Sequence, residues 1–208
     1  MCISQKYKFI FIHNQKTAGV SIRWYLRQNV PDLKMPFPVH TYAVDGIKKM
    51  GRERWDDYYS FGFVRNPWAR LVSWYSMIIE RPNRRNKLWK YVRAQALDFE
   101  GFLTNCTKTI IHPRRGYIYK KSLVCNQLDY FTDANGEIAV DFIGKVEKLR
   151  TDFPKVQKNL GLPLAPLPKT NTTKKKDYRA FYTDHTRELV EERFQKDIAH
   201  FKYTFDNG

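Results

Sequence analysis

The 208 residues and 24.9 kDa of this chain suffice for one compact unit with a substantial core, at ~100–200 residues per domain, so residues 1–208 are read as a single domain. A formal charge of +16 and a pI near 9.8 call for an anionic partner, while 42% hydrophobic and 15% aromatic residues exclude a disordered basic tail. No apolar run approaches the ~20 residues that cross a bilayer, and Met1-Cys2-Ile3-Ser4-Gln5-Lys6 does not begin a signal peptide, so a cytoplasmic protein without a membrane span is expected.

Residues 7–12 form a short, nearly continuous apolar run, interrupted by Lys8, as expected of a central strand covered on both faces. It empties into His13-Asn14-Gln15-Lys16-Thr17-Ala18-Gly19-Val20-Ser21, ahead of a helix predicted over about 21–28. Such a turn offers backbone N–H groups, a lysine and two hydroxyls to an anion at a helix start. In the nucleoside-triphosphate loop G-x-x-x-x-G-K-[ST] the lysine follows the second glycine, whereas Lys16 precedes Gly19. The loop therefore suits one compact anionic group.

Pro31, Pro36 and Pro38 mark an irregular crossing toward His40, and residues 45–54 read as a helix. A second apolar run, residues 61–64, ends at Arg65, with Asn66 placed to cap a helix and Pro67 pre-set for its first position. Leu71, Trp74, Tyr75 and Ile78 make a core-facing stripe at helical spacing, leaving Ser73 on another flank, where it and Arg65 could share one phosphate. An arginine pairing a surface carboxylate is the plainer alternative. Trp68 fits either an adenine neighbour or the core.

From Arg81 to Lys121 basic residues dominate, interspersed with Trp89, Tyr91, Tyr117 and Tyr119, which could offer flat faces to sugar rings or simply form a solubilising surface. Cys2, Cys106 and Cys125 are widely spaced, without C-x-x-C or a histidine at metal-ligand spacing, and read as small buried thiols. Residues 130–138 carry an Asn-Gly step between apolar flanks, a hairpin signal, with a strand ending near Gly144. A helix over 147–160 is closed by Gly161 and Pro163. The run Lys169-Thr170-Asn171-Thr172-Thr173-Lys174-Lys175-Lys176 is too polar for a core, and a final helix starts near Thr183 with Val190, Phe194, Ile198 and Phe201 on one face.

The two strand-turn-helix units together resemble the PAPS-dependent sulfotransferases, most closely the carbohydrate-type branch that includes heparan sulfate 2-O-sulfotransferases and bacterial relatives. Asp141-Phe142-Ile143-Gly144-Lys145-Val146-Glu147-Lys148-Leu149 and Tyr182-Thr183-Asp184-His185-Thr186-Arg187-Glu188-Leu189-Val190 are similar to later family segments. The resemblance implies an α/β, P-loop-kinase-like three-layer domain with a central, mostly parallel sheet. It implies transfer of a sulfonate group from 3′-phosphoadenosine 5′-phosphosulfate (PAPS) to a hydroxyl acceptor, expected to be a carbohydrate, with release of PAP; the basic stretch points to an acidic one, and tyrosine residues of proteins and small hydroxylated metabolites are the alternative acceptors.

On that reading Gln15, Lys16, Thr17, Ala18, Gly19, Val20 and Ser21 hold the 5′-phosphosulfate, with Lys16 neutralising charge on the leaving phosphate. Relatives often carry threonine or serine where Val20 stands, and Ser21 makes up part of that hydroxyl contact. Arg65 and Ser73 fall at the 3′-phosphate, and Lys174 and Lys175 at a late basic loop beside it. His40 matches the branch's histidine and is the expected general base, although a lone histidine after a proline-rich loop also reads as structural. The second strand ends in Arg65-Asn66 rather than a magnesium-holding aspartate, so no metal is expected. The competing readings are a P-loop-like kinase and a basic nucleic-acid or glycan-binding module without catalysis; nothing in the chain indicates a specific nucleic-acid partner.

Overall fold

The computed structural model describes residues 1–80, 87–107, 110–111, 118–119, 123, 125–168 and 177–208. The chain divides into two compact units: Met1–Arg65 with Gln127–Thr172, and Asn66–Asn126 with Thr173–Gly208.

The first unit is built on a four-stranded sheet in the order β1-β2-β3-β6, from β1 (Cys2–Ser4), β2 (Phe9–Ile12), β3 (Tyr59–Val64) and β6 (Phe142–Lys145). β2, β3 and β6 are parallel, with Ile12 opposite Gly62 and Val64 opposite Lys145, and β1 adds an antiparallel edge. This is the expected α/β sheet. Phe9, Phe11, Phe61 and Phe63 alternate onto one face and are covered by Ile22, Tyr25 and Leu26 of α1 (Gly19–Asn29) and by Phe153 and Val156 of α7 (Leu149–Asn159). Full burial of each such side chain is worth about 1.5–3 kcal/mol. On the other face Phe131 lies against Gly62, where a Cβ would come within 2.2 Å of its ring. Asp141 ties β6 to β3 by accepting from Ser60 N at 2.7 Å and Ser60 Oγ at 2.9 Å.

Two local expectations are refined and a third is met. The helix read over 45–54 is two helices, α2 (Ala43–Met50) and α3 (Arg52–Asp56), because Gly51 takes φ +86°, outside the helical range. The Asn-Gly hairpin is one antiparallel bridge, Thr132 to Ile138, following a 3₁₀ turn at Leu128–Phe131 rather than a pair of strands. Gly161, at φ +62°, closes the helix that ends at Asn159.

The second unit is helical: α4 (Pro67–Glu80), α5 (Lys87–Gln95), the short α6 (Phe99–Gly101) running into a wide π-helical turn at Phe102–Cys106, α8 (Asp184–Arg193) and α9 (Gln195–Phe201). A two-stranded antiparallel ladder, β4 (Ile110–Ile111) with β5 (Ile118–Tyr119), completes it. Asn66 caps α4 as expected, its Oδ1 accepting from Trp68 N at 3.1 Å and Ala69 N at 3.3 Å. Leu71, Trp74 and Ile78 are buried along α4. The final helix is split: α8 opens on a capping box between Thr183 and Thr186, and Phe194, at φ −114°, separates it from α9. Arg193 at that break donates to Leu103 O at 2.5 Å and Thr107 Oγ1 at 2.7 Å, holding the end of the wide turn. Among the described residues no helix is long and apolar enough to cross a membrane.

Candidate active site

The carboxyl ends of parallel strands gather the unpaired ends of their following turns, and ligands of open α/β sheets bind there. β2 and β3, neighbours in the sheet, deliver the loop 13–18 and Arg65 to that edge. Lys145, the last residue of β6, ends at the same edge, a position that sequence reading did not single out.

The loop after β2 is held in a special backbone conformation. Lys16 (φ +66°) and Ala18 (φ +61°, ψ 9°) are left-handed, and Ala18, which contributes no side-chain cap, precedes the first turn of α1. Left-handed residues within a tight turn aim successive N–H groups toward one concavity, and each costs about 1–2 kcal/mol when it carries a Cβ. The surrounding structure over-determines the turn. Thr17 is buried, and its hydroxyl donates to Asn14 O at 2.9 Å, so its side chain braces the loop from within. Gln15 Oε1 accepts from Tyr130 Oη at 3.0 Å, and Tyr130 stacks on Tyr42 with centroids 4.2 Å apart. Val20, in the first turn of α1, is half exposed.

Gly19 faces the His13 ring so closely that a Cβ would lie 1.9 Å from His13 Cδ2. His13 in turn meets His40 edge-on, with centroids 4.7 Å apart. His40 Nδ1 lies 2.8 Å from His13 O, and because a carbonyl only accepts, Nδ1 carries the hydrogen of this bond. In neutral His40 the basic nitrogen is therefore Nε2. The two rings are differently placed for chemistry. Burial, then the proximity of His40 and Arg23, pushes the His13 pKa down to about 3, so it stays neutral. His40 keeps solvent-accessible surface, yet its crowded surroundings also lower its pKa below 6.5, partly offset by the bond to His13 O. A neutral imidazole with Nε2 unprotonated at neutral pH can accept a proton.

Arg65 follows β3 directly, and its backbone is clamped by Gln127, a residue that sequence reading missed. Arg65 N donates to Gln127 Oε1 at 2.9 Å and Gln127 Nε2 donates to Arg65 O at 2.7 Å. The same Oε1 accepts from Asn14 Nδ2 at 3.2 Å. No local pattern around Gln127 signals this, since its partners are 62 and 113 residues away.

Lys16, Gln15, Thr17, Ala18, Gly19, Val20, Ser21, His40 and Arg65 thus all belong to the first unit, and the contacts through His13 and Gln127 join them. Ser73 lies on α4 in the second unit, partly buried. Trp68, open to either reading from sequence, is core: it is 2% exposed, donates from Nε1 to Arg187 O at 3.1 Å and meets Phe205 edge-on. Cys2, Cys106 and Cys125 are buried thiols outside any disulfide. Lys174 and Lys175, with Arg81, Arg84, Arg85, Lys108, Arg114, Arg115, Lys120 and Lys121 of the basic stretch, lie outside the described residues. Among the described residues no group of three or more His, Cys, Asp or Glu is arranged to hold a metal ion.

Comparison with known proteins gives two matches. The sequence model described as "Sulfotransferase family" matches residues 1–204. A protein of Archaeoglobus fulgidus, described as uncharacterized, is 30% identical over 135 residues, 63% of this chain and 91% of that one. No solved structure matches.

Proposed function

Because the chain belongs to the sulfotransferase family, with residues 1–204 matched, we propose that it acts as one sulfotransferase domain moving a sulfonate group from PAPS to a hydroxyl of an acidic saccharide. The observation that carries this reading is the joining of two turns at the ends of β2 and β3: one bearing Lys16 in a left-handed loop before α1, the other bearing Arg65. A donor with a phosphosulfate at one end and a phosphate at the other matches two such grips.

In this reading the first-turn N–H groups of α1 and the 15–18 loop hold the 5′-phosphosulfate, and Ser21 adds its hydroxyl. Arg65 takes the 3′-phosphate in a two-pronged contact, with Ser73 and the basic run bearing Lys174 and Lys175 assigned to the same group. His40 Nε2 accepts the proton of the acceptor hydroxyl as its oxygen bonds to sulfur. The bond between sulfur and the bridging oxygen breaks, and Lys16 neutralises the charge that remains on the departing 5′-phosphate.

The test is transfer of labelled sulfonate from PAPS to a panel of polysaccharides, with calorimetry of PAP binding alongside. Lys16→Ala and His40→Ala should each lower turnover by about a hundredfold or more while the circular dichroism spectrum is kept. Wild-type protein without a saturable PAP site, or a Lys16→Ala variant with normal turnover, would overturn the proposal.

A further inference from the structure

Gln127 occupies a place in the first unit that the chemistry assigned above does not explain. It is fully buried at the N-cap of the 3₁₀ turn at Leu128–Phe131, where its backbone carbonyl accepts from Tyr130 N at 3.1 Å and its side chain is left for other partners. Its carboxamide is used at both ends. Oε1 accepts from Arg65 N at 2.9 Å and from Asn14 Nδ2 at 3.2 Å, while Nε2 donates to Arg65 O at 2.7 Å. The orientation is fixed by the partners, since only an oxygen can face the two N–H donors and only the NH2 can face the carbonyl. Asn14 is oriented in the same way, because its Nδ2 faces both Gln127 Oε1 and Phe63 O, at 3.4 Å.

Arg65 follows β3 directly, and the register of β3 with β6 ends at Val64 opposite Lys145. Gln127 holds the backbone of this residue on both sides, at its N–H and at its C=O. It thereby fixes the φ and ψ from which the Arg65 side chain springs. Through Asn14 it also anchors this frame to the loop that carries Lys16, two residues further on.

We infer that Gln127 is a positioning residue: by clamping the Arg65 backbone and bonding Asn14, it sets the second anion grip at a fixed place relative to the first. The consequence is selectivity for a donor with phosphate at both ends of the nucleoside. This rests on the reading above that Arg65 takes the 3′-phosphate. Asparagine is one methylene too short to span the same three partners, glutamate lacks the donor for Arg65 O, and methionine keeps the volume with neither function.

Calorimetry with adenosine 3′,5′-bisphosphate and adenosine 5′-monophosphate separates the two proposals. Wild-type protein should prefer the bisphosphate, and Arg65→Ala should erase most of that preference; if neither holds, the 3′-phosphate assignment fails and this inference falls with it. Given both, Gln127→Met should cut the bisphosphate-to-monophosphate affinity ratio by about tenfold, the scale of one charge-assisted contact. In an Arg65→Ala background it should cost little more, because both changes remove the same contact. A Gln127→Met variant that keeps the wild-type ratio, or whose loss adds in full to that of Arg65→Ala, would overturn the inference while leaving the 3′-phosphate assignment standing. Should Gln127→Met fail to fold, Gln127→Glu retains the oxygen facing Arg65 N and Asn14 Nδ2 but not the donor to Arg65 O. The same loss of ratio is expected from it, and a wild-type ratio would equally overturn the inference.

Discussion

At the scale of single residues, the two neighbouring histidines show how burial separates roles within one residue type. His40 Nδ1 is committed to His13 O, which leaves Nε2 as its basic atom. His13, 5% exposed with a pKa pushed down to about 3, is held neutral and serves as the packing surface for Gly19 and His40. That neutrality has a consequence for stability. Between pH 6.5 and about 3 the unfolded chain binds a proton at His13 and the folded chain does not. Stability from this group is therefore full above pH 6.5 and falls as the pH drops below it. From pH 7 to pH 5 the loss should be about 2 kcal/mol. Denaturant titrations of wild type and His13→Gln at both pH values check it: the variant should show a difference smaller by that amount.

At the scale of elements, what matters is how the turns after β2 and β3 meet the helices that follow. Asn66 and Pro67 write the start of α4 in the sequence, and the cap is made by the residue expected. The start of α1 has a different basis: Ala18 caps nothing, and the helix begins at Gly19 because only a residue without Cβ fits against His13. Gly19→Ala should therefore shift the His13 ring or the first turn of α1, destabilising the protein by about 1–3 kcal/mol, and should weaken PAP binding. Gly136→Ala is the contrast, since its Cβ meets nothing within 4 Å and its φ of +82° is the sole objection. It should cost about 1 kcal/mol and leave PAP binding unchanged. Thermal melts with and without PAP distinguish the two.

At the scale of the whole molecule, a net charge of +16 exceeds what one nucleotide needs, and the acidic saccharide proposed as acceptor would account for the surplus. Exposed charges act over a Debye length of about 8 Å at physiological salt. If the acceptor is an acidic polysaccharide, its KM should rise roughly tenfold between low and physiological ionic strength while the KM for PAPS moves far less. Equal salt dependence for charged and uncharged acceptors would remove the acidic-acceptor reading and leave the surplus charge to solubility.

The sequence by itself determined the apolar strands, the turns after them that carry Lys16 and Arg65, the Asn66 cap and the closure of α7 at Gly161, because each is a local pattern of side-chain type and backbone preference. It also carried the sulfotransferase family. Only the tertiary structure decided that the predicted helix over 45–54 breaks at Gly51, that Trp68 is core, that Gly19 is required by a ring six residues away, and that Gln127 joins two turns. These depend on which groups meet across long separations, and a hydrogen bond between residues 14 and 127 leaves no periodicity or spacing to read.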